Sequence, residues 1–229
     1  DGKVDVEMYQ ITETLSADVL EKMHAPPKQN IPEITADKLV EADGFVFGFP
    51  TRFGTAPAQV KAFFDSTGKL WAEGALAGKP VGLFFSTASQ HGGQEATAFT
   101  FMPHFAHHGM IYVPLGYASE KMFDNSVPSG GSPWGSSTIA GPSGERQPLV
   151  QELAIAEIQG ERFAAVAAKL AAPLKAGQQK DQPAQAQAQQ TDQQTDQQAA
   201  QAQPEVPAKH QGSRMGRLAA KFKNLFSSN

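Results

Sequence analysis

The chain has 229 residues, a formal net charge of −4, 40% apolar side chains and no cysteine, which suits one domain with appendages or two small ones. The missing cysteines exclude disulfides, thiol nucleophiles and thiolate metal sites and fit a reducing compartment, so any catalysis must use other groups. No apolar run approaches the roughly 20 residues that span a bilayer, and no basic stretch leads into an apolar one at the N-terminus, so the chain reads as soluble. Charge is unevenly placed. Ser213 to Asn229 carries Arg214, Arg217, Lys221 and Lys223 and no acid, which leaves the body acidic and argues against nucleic acid as its main partner.

In chain order, Lys3 to Ile11 alternates Val4, Val6 and Met8 with Asp5, Glu7 and Tyr9, the period of a half-exposed edge strand. Leu15 to Met23 predicts a short helix that Ser16 can cap, and Pro26-Pro27 begins a surface connection that runs to Pro32. Thr35 to Glu41 predicts another short helix, and Asp43-Gly44 a turn. Phe45, Val46, Phe47 and Phe49 then form a continuous apolar run, expected as a strand buried on both faces. Polar chemistry begins where it stops: Thr51 supplies a hydroxyl, Arg52 a fork of donors and Phe53 a flat ring. Ala56-Pro57-Ala58 opens a helix to Asp65.

Ser66 to Trp71 reads as a loop with an aromatic at its tip, and Val81 to Phe85 as a second buried strand. That strand ends in Ser86-Thr87-Ala88-Ser89-Gln90-His91-Gly92-Gly93, so two strands finish in hydroxyl-bearing loops. Gln94 to His108 predicts a helix despite Pro103, and Met110 to Leu115 a third strand. This alternation predicts a parallel sheet with helices on both faces, and ligands of such sheets bind at the carboxyl ends of the strands. Gly116 to Gln147 is a long Gly-, Pro- and Ser-rich loop whose Tyr117, Phe123 and Trp134 favour an ordered one, and Pro148 to Leu170 is an amphipathic helix.

The globular domain is expected over 1–172. Residues 173–208 collapse into Gln, Ala, Asp and Pro and lack the apolar side chains that offset the ordering entropy of about 1 to 2 kcal/mol per residue, so they predict a disordered linker. Over 209–229, Met215, Leu218, Phe222, Leu225 and Phe226 recur at spacings of three and four among the four cations. That is a basic amphipathic helix, able to lie on an anionic membrane surface through 213–226 or to dock in a protein groove.

The hydroxyls of Thr51, Ser86 and Thr87 with Arg52 suit an anionic or heterocyclic cofactor, and Phe53 and Trp71 offer flat faces; such loops also serve simply as turns. His104, His107 and His108 have the spacing to bring two imidazoles to one metal. No carboxylate triad or thiol completes that coordination, and no metal site is expected.

Pro50-Thr51-Arg52-Phe53-Gly54, Thr67-Gly68-Lys69-Leu70-Trp71, Ser86-Thr87 with Gly92-Gly93-Gln94-Glu95, His107-His108-Gly109-Met110, Pro114-Leu115-Gly116-Tyr117, Gly131-Ser132-Pro133-Trp134-Gly135 and Gly144-Glu145-Arg146-Gln147-Pro148 together resemble the WrbA-like family, with the fungal allergen-type members nearest. These are flavodoxin-like, FMN-dependent NAD(P)H:quinone oxidoreductases. The resemblance spans about Lys3 to Leu170 and implies a homotetrameric, cytoplasmic enzyme. It also implies that Thr51, Arg52 and Phe53 line FMN with the stretch Ser86, Thr87, Ala88, Ser89, Gln90 and His91. His107 would reach the flavin region as a catalytic residue, and Trp71 would wall the substrate side. The implied reaction is hydride transfer from NADH or NADPH to FMN and two-electron reduction of a quinone, protecting against redox cycling. Ala88-Ser89-Gln90-His91 departs from the glycine-rich form of that family.

The family's first strand and phosphate-binding loop have no counterpart from Asp1 onward, which suggests an N-terminally incomplete chain that retains FMN poorly. A second class of function therefore stays open. The chain could be a flavin-free interaction or scaffold protein, tethered at the plasma membrane or to a partner by its basic helix.

Overall fold

A computed structural model describes residues 4–177. The expected linker beyond Gly177 and the expected basic helix over 209–229 lie outside the described residues. Two short helices, α1 (Ala17–Lys22) and α2 (Ala36–Glu41), lead into β1 (Phe45–Pro50), followed by α3 (Ala58–Asp65) and α4 (Gly68–Ala72). Then come β2 (Pro80–Thr87), α5 (Gln94–His107), β3 (Ile111–Tyr112), a 3-10 turn at Glu120–Phe123, β4 (Ser136–Ile139) and α6 (Val150–Gly177).

All strand pairings are parallel. β1 pairs with β2 in the register Phe45↔Val81 through Pro50↔Ser86, so Phe45, Phe47 and Phe49 share one sheet face with Val81, Leu83 and Phe85. α3 and α5 cover that face, with Phe49 against Phe101 and Phe47 against Phe64 and Phe105 at ring-centroid separations of 4.8 to 5.9 Å. Truncating the fully buried Phe101 to Ala would cost about 3 to 5 kcal/mol. α6 covers the other face over β2, where Phe163 packs on Gly82 and Gln159 donates to the Leu83 carbonyl.

β3 and β4 both pair with the same edge of β2. β3 takes its start (Pro80↔Ile111, Val81↔Tyr112) and β4 its end (Phe84↔Ser136 to Thr87↔Ile139). They are two halves of one edge strand, interrupted by the excursion 113–135. The third apolar run is expected to pair through Leu115, but regular pairing ends at Tyr112, with a last bond from Val113 N to Val81 O, because Pro114 has no N–H to donate. β4 lies inside the stretch expected as loop. Its polar Ser136-Ser137-Thr138 does not look like a buried strand, yet Ser136 N donates to Gln159 and the Ser137 hydroxyl to Gln94.

Glu152 on α6 closes the excursion. Its buried carboxylate accepts from Gly130 N (2.7 Å), Leu149 N (2.8 Å) and the Thr138 hydroxyl (2.8 Å) and pairs with Arg146, which also donates to Pro128 O and Ile139 O. Burial alone would raise its pKa, but these donors and the guanidinium together hold it below the ordinary carboxylate value.

Four further expectations change. Residues 4–9 form no strand, and Val4, Val6 and Met8 are exposed: no described strand lies beside them, and the nearest ladder contact is an isolated bridge from the following Gln10 to Glu33. β1 is not buried on both faces. Val46 is 43% exposed, because α6 lies over β2 and β4, and Phe84, itself 48% exposed, extends across Gly48, where a β-carbon would fall 2.0 Å from its ring. Ser66 to Trp71 is not a loop, because Lys69 to Ala72 are good helix formers and close the turn α4. α6 continues past Leu170 to Gly177.

Candidate active site

At the carboxyl edge β1 passes into a tight turn, closed by Arg52 N to Thr55 O (2.7 Å) and Thr55 N to Arg52 O (3.1 Å). Phe53 (φ 53°) and Gly54 (φ 78°) both sit in the left-handed region, as a primed two-residue turn requires. For Gly54 that is free; for phenylalanine it costs about 1 to 2 kcal/mol. The Phe53 ring gains no packing in return, being 104% exposed. No packing contact offsets this strain, which makes Phe53 a candidate contact residue.

The turn is pinned from α5. The Thr51 hydroxyl accepts from Gly54 N (3.2 Å) and lies 2.7 Å from the buried Thr97 hydroxyl, while the Thr100 hydroxyl donates to Gly54 O (3.0 Å). Arg52 is exposed and donates to Thr51 O (2.8 Å), leaving most of its fork free for a ligand.

The second loop follows β2. Ser86 and Thr87 are strand residues, paired with Thr138 and Ile139, and only Ala88, Ser89, Gln90 and His91 form the exposed loop. The Thr87 hydroxyl donates to Ser89 O (2.7 Å), and Gly92 fits so tightly that a β-carbon would lie 2.9 Å from Thr87 Cβ. Gln94 was absent from the sequence-derived site, yet it joins three segments. Its Nε2 donates to the Thr87 hydroxyl, and its Oε1 accepts from Gly131 N and the Ser137 hydroxyl. Beside it lies a polar cavity of about 360 Å³, lined by Gln90, Glu95, Tyr117, Asp124, Asn125 and Gly130 to Pro133. Tyr117 at its rim stacks on Phe123 (5.4 Å, 14°), with both rings exposed. An aromatic in a Gly- and Pro-rich loop was the available signal.

His107 and Trp71 are not brought to these loops. α5 starts against the carboxyl-edge loops and ends at His107, and its 14 residues carry the chain about 20 Å away. There His107 joins Trp71, Phe64, Asp65, Thr67, His104 and His108 around a shallow cavity of about 320 Å³. The His104 ring stacks on Phe101 (4.4 Å, 20°). Among the described residues no group of three or more His, Cys, Asp or Glu could hold a metal. His108 Nε2 lies 2.8 Å from the Thr67 hydroxyl, which itself donates to Phe64 O (2.6 Å), so the imidazole is the donor. Burial first, and His104 and His107 next, hold its pKa below the ordinary value.

The profile of the NADPH-dependent FMN reductase family matches residues 1–124. The chain belongs to that family. Its sequence is 56% identical over 170 residues to "Quinone-oxidoreductase QR2" of Triphysaria versicolor, covering 74% of this chain and 83% of that protein. It is 55% identical to the "P25 protein" of Schizosaccharomyces pombe (68% and 78% covered) and 48% identical to an "NAD(P)H dehydrogenase (quinone)" of Geotalea daltonii (72% and 83% covered). A solved flavodoxin, WrbA-like protein from Agrobacterium tumefaciens is 27% identical, over 58% of this chain and 71% of that one, with a TM-score of 0.46. The fold is an α/β sandwich, a parallel sheet between layers of helices. The carboxyl edge suits a flavin ring through an exposed flat side chain in a strained turn and a guanidinium with most of its donors free, while Gly92 and Gly93 let the loop pack closely on Thr87 and Gly54.

Proposed function

We propose that the chain is an NAD(P)H-dependent quinone reductase that binds FMN at the carboxyl edge. The observation that carries this reading is the 56% identity over 170 residues to a quinone oxidoreductase, alongside a family match over 1–124 that includes the strained Phe53 turn. Bound FMN supplies the redox chemistry, taking a hydride from NADH or NADPH and giving two electrons to a quinone. The chain's own residues bind and orient. Phe53 covers one flat surface and keeps water off it, Arg52 directs its free N–H groups to an electron-rich edge, and Thr51 holds the turn that carries both. The stretch 86–91 forms the opposing wall.

Trp71 and His107 then belong to the substrate side of a site completed by another copy, in a homotetramer. Supporting this is their separation of about 20 Å, along α5, from the loops of their own chain. Lack of cysteine suits a reducing compartment such as the cytoplasm, and the cations and apolar side chains of 213–226 favour attachment at an anionic membrane, near lipid-soluble quinones. Removal of quinones by two-electron reduction would limit redox cycling. Purified protein should oxidise NADH or NADPH only when quinone and FMN are both present; flavin-independent or absent turnover would count against the reading.

A further inference from the structure

The geometry points to the Thr67–His108 hydrogen bond as a positioning lock that sets the place of Trp71 in its cavity. α4 has five residues, of which only Leu70 is buried, and a helix this short does not hold itself in water. Its entry is fixed at Thr67, 1% exposed, where one hydroxyl ties two elements: it donates to Phe64 O at the end of α3 and accepts from His108 Nε2 at the end of α5. Trp71 is one helical turn on, with its N–H bonded to the Thr67 carbonyl (3.0 Å).

The other end of the lock is rigid. Gly109 (φ 68°) ends α5 with bonds from Gly109 N to Ala106 O and from Met110 N to Phe105 O, which fixes the backbone that carries His108. His108 Nδ1 is buried without a partner, a cost an apolar ring would avoid. What the histidine adds over an apolar ring is its Nε2–H. Thr67 and His108 both line the cavity that Trp71 on α4 and His107 on α5 share, so the bond between them ties its two walls together.

Any role in turnover rests on the reading of Trp71 as a substrate wall; the spectroscopic test below does not, so the two fail separately. The chain has two tryptophans, and W134F leaves Trp71 as the only reporter. In that background, T67V and H108L should red-shift Trp71 emission and raise its acrylamide quenching. T67S and H108Q, which keep the hydroxyl and an N–H donor, should stay near the parent. With FMN and quinone, T67V and H108L should raise KM for quinone about threefold at nearly unchanged kcat, the mark of lost ground-state positioning. Should T67V fail to fold, H108L with its H108Q control carries the same test. Folded T67V or H108L with unchanged Trp71 quenching and only a lower melting temperature would overturn the lock, as would T67S behaving like T67V. Shifted Trp71 spectra with unchanged KM would keep the lock and remove Trp71 from the substrate site.

Discussion

Phe53 gives the sharpest residue-scale prediction, because folding and function want opposite things of it. Replacing it with glycine removes a left-handed phenylalanine and should stabilise the protein by up to about 1 kcal/mol by that term, although glycine's extra unfolded freedom offsets part. FMN binding should weaken in the same variant. Thermal unfolding and flavin titration read the two separately, and weaker folding together with unaltered FMN affinity would remove the functional explanation of the strain. Arg52 is tested more directly. A charge-assisted hydrogen bond is worth about 1.5 to 3 kcal/mol, so Arg52→Ala should weaken FMN binding by roughly tenfold or more with little change in unfolding, since the guanidinium has one intramolecular bond, to its neighbour's carbonyl. These residues were legible before the structure because each stands where an apolar run stops. The grip of Thr97 and Thr100 on the turn was not, since it depends on α5 packing beside β1.

Among the elements, the split edge strand was the least legible. β4 is short and polar, and it becomes a strand only because Gln94, Gln159 and Glu152 satisfy its buried groups from elsewhere in the chain. Period and hydropathy carry no trace of such long-range partners. Glu152→Gln should therefore be costly: an amide NH2 would face donors that now point at a carboxylate, and unpairing a buried charge costs about 3 to 5 kcal/mol. The melting temperature should fall by several degrees, and a change under one degree would contradict the stapling role. pH gives the sign. Because the folded pKa lies below the ordinary value of 4.5, the carboxylate's stabilisation is complete above that value and is lost as pH falls through the folded pKa. The variant should lack this part of the acid sensitivity. β1, β2 and α5 were legible because their apolar runs are continuous or periodic; the edge strand over residues 3–11 was misread because alternation alone does not supply a pairing partner.

For the whole molecule, one chain divides its candidate residues between two ends of α5, and the sequence, which places all of them in one family pattern, could not reveal that separation. The proposed homotetramer would join unlike ends, which makes a mixing test available. Arg52→Ala and Trp71→Ala proteins, each weak alone, should regain part of their activity when co-assembled, and additive residual rates would refute a shared site. Light scattering should give four copies at micromolar concentration. The basic segment 213–226 predicts salt-sensitive co-sedimentation with phosphatidylserine vesicles that is lost in a chain ending at Pro207; equal sedimentation of the two would favour a protein partner.

The most direct test of the central claim is flavin titration and quinone-dependent NAD(P)H oxidation of the purified protein with FMN kept in the buffer, which does not depend on tight retention. FMN fluorescence should change saturably with added protein, and oxidation should require both flavin and quinone. A protein that leaves FMN fluorescence unchanged and oxidises neither NADH nor NADPH in the presence of quinone would contradict the assignment and leave a flavin-free interaction protein in its place.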